Sequence, residues 1–255
     1  MILKKQKIFD TPGSYWLAFS GALLFYALIQ LKIAPDFFGA FHLTDIDDEM
    51  RLVMVRDLLN GQGWYDTVQH RALPPEGLPM HWSRLVDAPL VVLAWVYGLA
   101  YDQMTAIHLA AATWPVFLFV LYLLVIGGVM TAVFGHTQAS FAVMGAAALP
   151  SVAGTFFPPG RVDHHNVQIL TMAVALALVM RAERPVQRGI LAGVTAALSL
   201  AVGLEAIVFF ALLGVALTGL YIIDRPGAAV KLGGYGLGLG FAAPVFFLIQ
   251  TPPQD

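Results

Sequence analysis

Cysteine is absent from all 255 residues, which excludes disulfides, thiolate metal sites and a cysteine nucleophile. Charge is scarce. Only 12% of residues are Asp, Glu, Lys or Arg, where a soluble domain averages about a quarter. That leaves too little polar surface to face water on all sides. A basic excess is missing as well: the formal net charge is −2, so nothing is available to neutralise a nucleic-acid backbone. The sequence also lacks internal repeats, a phosphate-binding P-loop, a dinucleotide fingerprint, a nucleophile elbow and a zinc-protease motif.

What is present is apolar length. Hydrophobic residues make up 58% of the chain and the mean hydropathy is +0.74. A helix needs about 20 apolar residues to cross the hydrocarbon core. Runs of that kind predict spans at Ser14–Ala34, Thr105–Phe134, Ala139–Phe157, Asn166–Met180, Gly189–Val202, Ala206–Ile223 and Leu232–Ile249. The expected fold is all-α: a single polytopic transmembrane bundle of about seven spans over residues 1–255. A long outer loop, 35–87, with short amphipathic helices, separates the first two spans. The first run, Tyr15–Ile33, is too long for a signal-peptide core and no small-residue cleavage site follows it, so it reads as a retained span.

Basic residues set the orientation. Lys4, Lys5 and Lys7 precede the first span, Arg181, Arg184 and Arg188 form a second basic loop, and Arg225 and Lys231 a third. All three share the cytoplasmic side only if the 14-residue run Ala88–Tyr101 does not cross, so that run is expected at the outer surface.

Three polar groups then meet at the outer face. Asp45-Ile-Asp47-Asp48-Glu49-Met50-Arg51 follows Thr44, an expected N-cap, and opens a helix to about Leu59. Helical spacing puts Asp47, Asp48 and Arg51 on the face shared by Leu52, Met54, Val55, Leu58 and Leu59, where a carboxylate is costly without a cation. The plainer alternative is an acidic first turn with an Asp47–Arg51 pair. Pro158-Pro159-Gly160-Arg161-Val162-Asp163-His164-His165 breaks the chain and restarts a helix near Val162. Carboxylate and imidazole together suit a divalent cation, and the alternative is a helix cap. Glu205 stands at the tight outer turn Gly203-Leu204-Glu205, either solvated or part of the same site. His70, Arg71, His81 and Arg84 lie in the Pro-rich first loop, where an arginine could hold a phosphate. Gly233-Gly234-Tyr235-Gly236 is inside an apolar run, which close helix packing explains better than phosphate binding.

The stretch from Asp47-Asp48-Glu49-Met50-Arg51 through Asp57 to Asn60-Gly61-Gln62-Gly63-Trp64 resembles the first-loop signature of the membrane-embedded C-type glycosyltransferases. Gly160-Arg161-Val162-Asp163-His164-His165 resembles the second acidic motif of their oligosaccharyltransferase-like branch. The resemblance implies transfer of a sugar from a polyprenyl phosphate or diphosphate to an acceptor at the outer face of a bacterial inner membrane. It implies Asp47, Asp48 and Asp163 as catalytic acids and a divalent cation, Mn²⁺ or Mg²⁺, on Asp48, Asp163 and His165. Arg51, Arg84, His164 and Glu205 would contact substrate. The partners implied are the polyprenyl-linked donor and membrane lipid. The Trp-Trp-Asp acceptor motif of true oligosaccharyltransferases is missing, and the chain reads as the N-terminal portion of a longer enzyme of this kind. The competing readings are a transporter or scaffold subunit without catalysis, and a metal-dependent hydrolase of lipid phosphates.

Overall fold

The computed structural model describes residues 10–40, 43 and 45–252, the side chains of 33–40 excepted. Lys4, Lys5, Lys7 and Thr44 lie outside the described residues. The chain is an all-α membrane bundle. Among the described residues, five helices are long and apolar enough to cross a bilayer: α1 (Pro12–Ala40, apolar over Pro12–Lys32), α4 (Gln103–Phe134), α7 (Pro185–Val202), α8 (Ile207–Ile222, preceded by one 3₁₀ turn from Leu204) and α9 (Ala228–Gln250).

Two of the seven expected spans take another form. The run Ala139–Phe157 is not one helix. α5 (His136–Ala148) stops at Leu149 and a π-helical turn follows at Pro150–Gly154. Leu149 is extended, as the ring of a following proline requires, and Pro150 has no N–H to continue the ladder. The run Asn166–Met180 becomes α6 (His165–Met180), whose 16 residues span only about 24 Å at 1.5 Å each.

α1 continues to Ala40, past the expected loop start at Pro35. Then α2 (Ile46–Leu59) begins, capped by Asp45. A small hairpin pairs β1 (Val68–Gln69) with β2 (Leu78–Pro79), and α3 (Arg84–Tyr97) is capped by Ser83. At 14 residues α3 is not among the helices long enough to cross.

Polar contacts sort the helix termini into two ends. At one, the Asp10 carboxylate accepts the N–H groups of His136 and Thr137 at 2.8 and 3.3 Å, joining the start of α1 to the start of α5. Lys231 Nζ donates to the carbonyls of Val179 and Arg181 at 2.7 and 2.9 Å, capping α6 from the start of α9. Leu178, Arg181 and Arg188 border the same groove as Gly128 and Val129, which aligns the C-terminal ends of α4 and α6. At the other end, Gln250 of α9 accepts from Ser83 and donates to the carbonyl of Ala201, and Trp64 Nε1 donates to the carbonyl of Ile249 at 2.6 Å. Arg181, Arg188 and Lys231 therefore stand opposite the end where α6 starts and α7 finishes.

The interior is in three parts. Aromatic stacking joins α1 to α4, with Tyr26 and Phe119 ring centres 4.3 Å apart and Phe157 beside them. α7 and α9 touch backbone to backbone at Gly189, Gly193, Gly234 and Gly238, where a Cβ would overlap the neighbouring main chain. The third part matters for the site: Leu52, Val55, Leu90, Ala110 and Ala111 bury Val162 from the loop before α6.

Candidate functional site at the ends of α2 and α6

The loop Pro158–His164 is pinned from both sides. The Gly160 N–H donates to the Ala111 carbonyl at 2.9 Å, at a positive φ of 89° that favours glycine. Val162 enters the apolar cluster described above. Asp48, in the first turn of α2, holds the other side: its Oδ1 accepts the N–H groups of Val162 and Asp163, each at 2.9 Å. Its Oδ2 accepts Arg161 Nη1 at 3.0 Å, and the same nitrogen reaches Asp45 Oδ2 at 2.9 Å. Asp48 is fully buried. Burial pushes its carboxyl above the ordinary value, against the pull of Arg161 and the two backbone N–H groups.

Asp163, 2% exposed, turns its own carboxylate to the histidines. Its Oδ1 accepts the His164 backbone N–H at 2.7 Å and lies 2.5 Å from His164 Nδ1. Its Oδ2 is 3.4 Å from His165 Nε2 and 3.8 Å from Arg161 Nη2. Burial opposes ionisation of Asp163, but the bonds from His164 outweigh it and hold the carboxyl well below the usual carboxylate range. Burial likewise opposes the charge on His164, and Asp163 followed by Glu205 outweighs it, so the imidazole is raised above its ordinary value. On its far side His164 Nε2 is 3.3 Å from Glu205 Oε1, in ion-pair range but without hydrogen-bond alignment. Gln168 Nε2 ties Glu205 Oε2 at 2.8 Å to the Gly203 carbonyl at 3.0 Å. The result is a row, Asp163–His164–Glu205, running from the buried loop to an exposed carboxylate.

Asp48 and Asp163, expected to share a metal ion or a substrate phosphate, lie close together, and both carboxylates reach one guanidinium, at 3.0 and 3.8 Å. The cation between them is Arg161. Asp163, His164 and His165 each offer one ligand atom, all within 4.8 Å of one another. With Asp163 Oδ1 and His164 Nδ1 committed to each other, Asp163 Oδ2 and His165 Nε2 are the pair that fits a divalent cation. Their 3.4 Å separation suits two ligands at about 2.0–2.2 Å from one ion. Asp48 does not fit that set, because both its oxygens are engaged elsewhere.

Three expected residues are elsewhere. Asp47 is exposed, off the packed face: Asp45, as cap, accepts the Asp47 N–H at 3.2 Å and so starts the helix at Ile46. Arg51 does not pair with Asp47. Arg51 Nη1 donates to Asp87 Oδ1 at 2.7 Å, and Arg84 Nη1 to Asp87 Oδ2 at 3.1 Å. Both arginines are 1% exposed, too enclosed to meet a substrate phosphate as expected. Arg51 also packs over Trp82, 4.9 Å from the ring centre, while Arg84 gathers the carbonyls of Trp64 and Asp66. They brace the 60–83 loop. Asp87, overlooked in the sequence, is the acid that makes this affordable; its only signal was the i,i+3 spacing from Arg84 at a helix start.

The chain matches no family model, no curated protein and no solved structure.

Proposed function

We propose that this protein is a membrane-embedded transferase that moves a sugar from a polyprenyl phosphate or diphosphate to an acceptor at the outer face of a bacterial inner membrane. The observation that carries the reading is the Asp163–His164–Glu205 row, a polar site at one end of an otherwise apolar bundle. A transporter would hold its ionisable groups near mid-membrane, which favours the surface reaction. The opposite end, which holds Arg181, Arg188 and Lys231, faces the cytoplasm by the positive-inside rule.

In the transfer, an acceptor oxygen or nitrogen bonds to the anomeric carbon as the carbon–oxygen bond to phosphate breaks. The phosphate leaves with the electron pair, and a carboxylate takes the acceptor's proton. Glu205, exposed at the end of the row, is the acid in reach for that proton, and His164 positions it against Asp163. Asp45, Asp48, Asp163 and Glu205 outnumber Arg161 and a charged His164, so the site by itself repels phosphate. A divalent cation on Asp163 and His165, Mn²⁺ or Mg²⁺, would supply the missing positive charge when bound. Imidazole ligation favours Mn²⁺ of the two.

The test is product analysis with a radiolabelled polyprenyl-phosphate sugar and the full chain in membrane vesicles. Transfer to a new product, lost in Asp163→Asn and retained in Asp47→Asn, supports the reading. Label released into water makes the protein a lipid-phosphate hydrolase instead, and label remaining on the lipid overturns enzymatic turnover of this donor.

A further inference from the structure

A groove of about 330 Å³ opens beside the site, between the first turns of α6, the start of α8 and the segment after the π turn. Its two ends differ in chemistry. His165, Gln168 and Glu205 form one; Ile169, Met172, Phe156 and Phe209 form the other. Along α6 the lining passes from polar to apolar within two turns, moving away from the polar end of the bundle. Among the described residues, no lysine or arginine lines the groove. The guanidinium of Arg161, beside Asp163, is engaged by Asp45 and Asp48. With no divalent cation on Asp163 and His165, a phosphate head would therefore meet the Glu205 carboxylate, and His164 beside it is already shared with Asp163. A hydroxyl or ammonium head would instead find a carboxylate acceptor, and the imidazole of His165 3.4 Å from the Gln168 side-chain oxygen.

We infer that this groove receives a membrane amphiphile with a single apolar chain and a proton-donating head, hydroxyl or amine, and, with no divalent cation bound, excludes phosphate-headed lipids. Under the transfer reading this amphiphile is the acceptor, presenting its nucleophile to Glu205. That assignment rests on the proposed function; the binding itself does not.

The absence of cysteine makes the test clean. Met172→Cys places a thiol in the groove, and Leu191→Cys, on the exposed face of α7, is the control. The full chain in nanodiscs, kept metal-free with EDTA, is labelled with N-ethylmaleimide in the presence of dodecylamine, dodecanol or dodecyl phosphate. Dodecylamine and dodecanol should slow labelling of Met172→Cys several-fold and leave Leu191→Cys unchanged, with dodecyl phosphate ineffective. Adding Glu205→Gln should weaken protection by dodecylamine about tenfold, the loss of one charge-assisted hydrogen bond, and spare that by dodecanol. Ile169→Cys repeats the measurement should Met172→Cys fail to fold. Equal protection by dodecyl phosphate, protection of Leu191→Cys, or no protection by any probe overturns the proposal. None of these outcomes depends on sugar transfer, so the groove and the reaction fail separately.

Discussion

Asp163 and His164 are adjacent in sequence and bonded twice, through the His164 backbone N–H and its ring, and this pairing ties stability to pH. His164 carries a raised value when folded, so its contribution is fully present below about pH 6.5, the unfolded value. It is lost as pH rises through the folded value. Asp163 has the opposite sign: its value is lowered, so its contribution is present above about pH 3.9 and lost as pH falls through the folded value. The pair should therefore stabilise most in mildly acidic solution. The difference in melting temperature between the wild type and His164→Asn is expected to be largest near pH 5–6 and to shrink steadily toward pH 9. A difference that stays constant across that range would mean His164 is held by packing alone.

Helices α7 and α9 show how an element is chosen by what it lacks. Gly189 and Gly193 face Gly234 and Gly238, and a side chain at any of the four would strike the partner's backbone. Without water to drive apolar groups together, helices in a membrane gain from close backbone approach, and small residues permit it. The cost of glycine in a helix, about 1 kcal/mol relative to alanine, is accepted where contact returns more. Gly193→Val should separate the two helices and lower the melting temperature markedly, and with it disturb Gln250, which links the end of α9 to Ser83 and Ala201. Gly240→Ala, where nothing lies within 4 Å, should be neutral or slightly stabilising. Thermal melts of the two variants in one detergent make the comparison; equal losses would refute the close-packing account.

Across the whole molecule the two ends differ in their excess charge, although Arg51, Arg84 and Arg161 sit with the acids. The carboxylates of Asp45, Asp48, Asp163 and Glu205 gather where α6 begins, and Arg181, Arg188 and Lys231 stand where it finishes. This makes sidedness measurable. Glu76→Cys, in the loop before α3, and Gln187→Cys, in the first turn of α7, are both exposed. In sealed, cytoplasm-inside vesicles an impermeant maleimide should label Glu76→Cys and spare Gln187→Cys. Labelling of both from one side would contradict the bundle's topology.

Long continuous apolar runs determined that this chain is a helical membrane protein, because a helix satisfies its own backbone in lipid and the other solution, a closed barrel, is built from short strands of alternating hydrophobicity. The sequence also located the acidic turns at helix starts, since proline, glycine and capping residues act locally. The interruption at Leu149–Pro150 was readable by the same local chemistry, yet hydropathy averages over it. Which charges meet was not legible. The i,i+4 rule offered Asp47 to Arg51, but Asp87, 36 residues away, took the arginine and Arg161 took Asp48. A buried ion pair is settled by which partner the packed helices bring within reach of its desolvated charge, and that separation in space has no trace in sequence spacing.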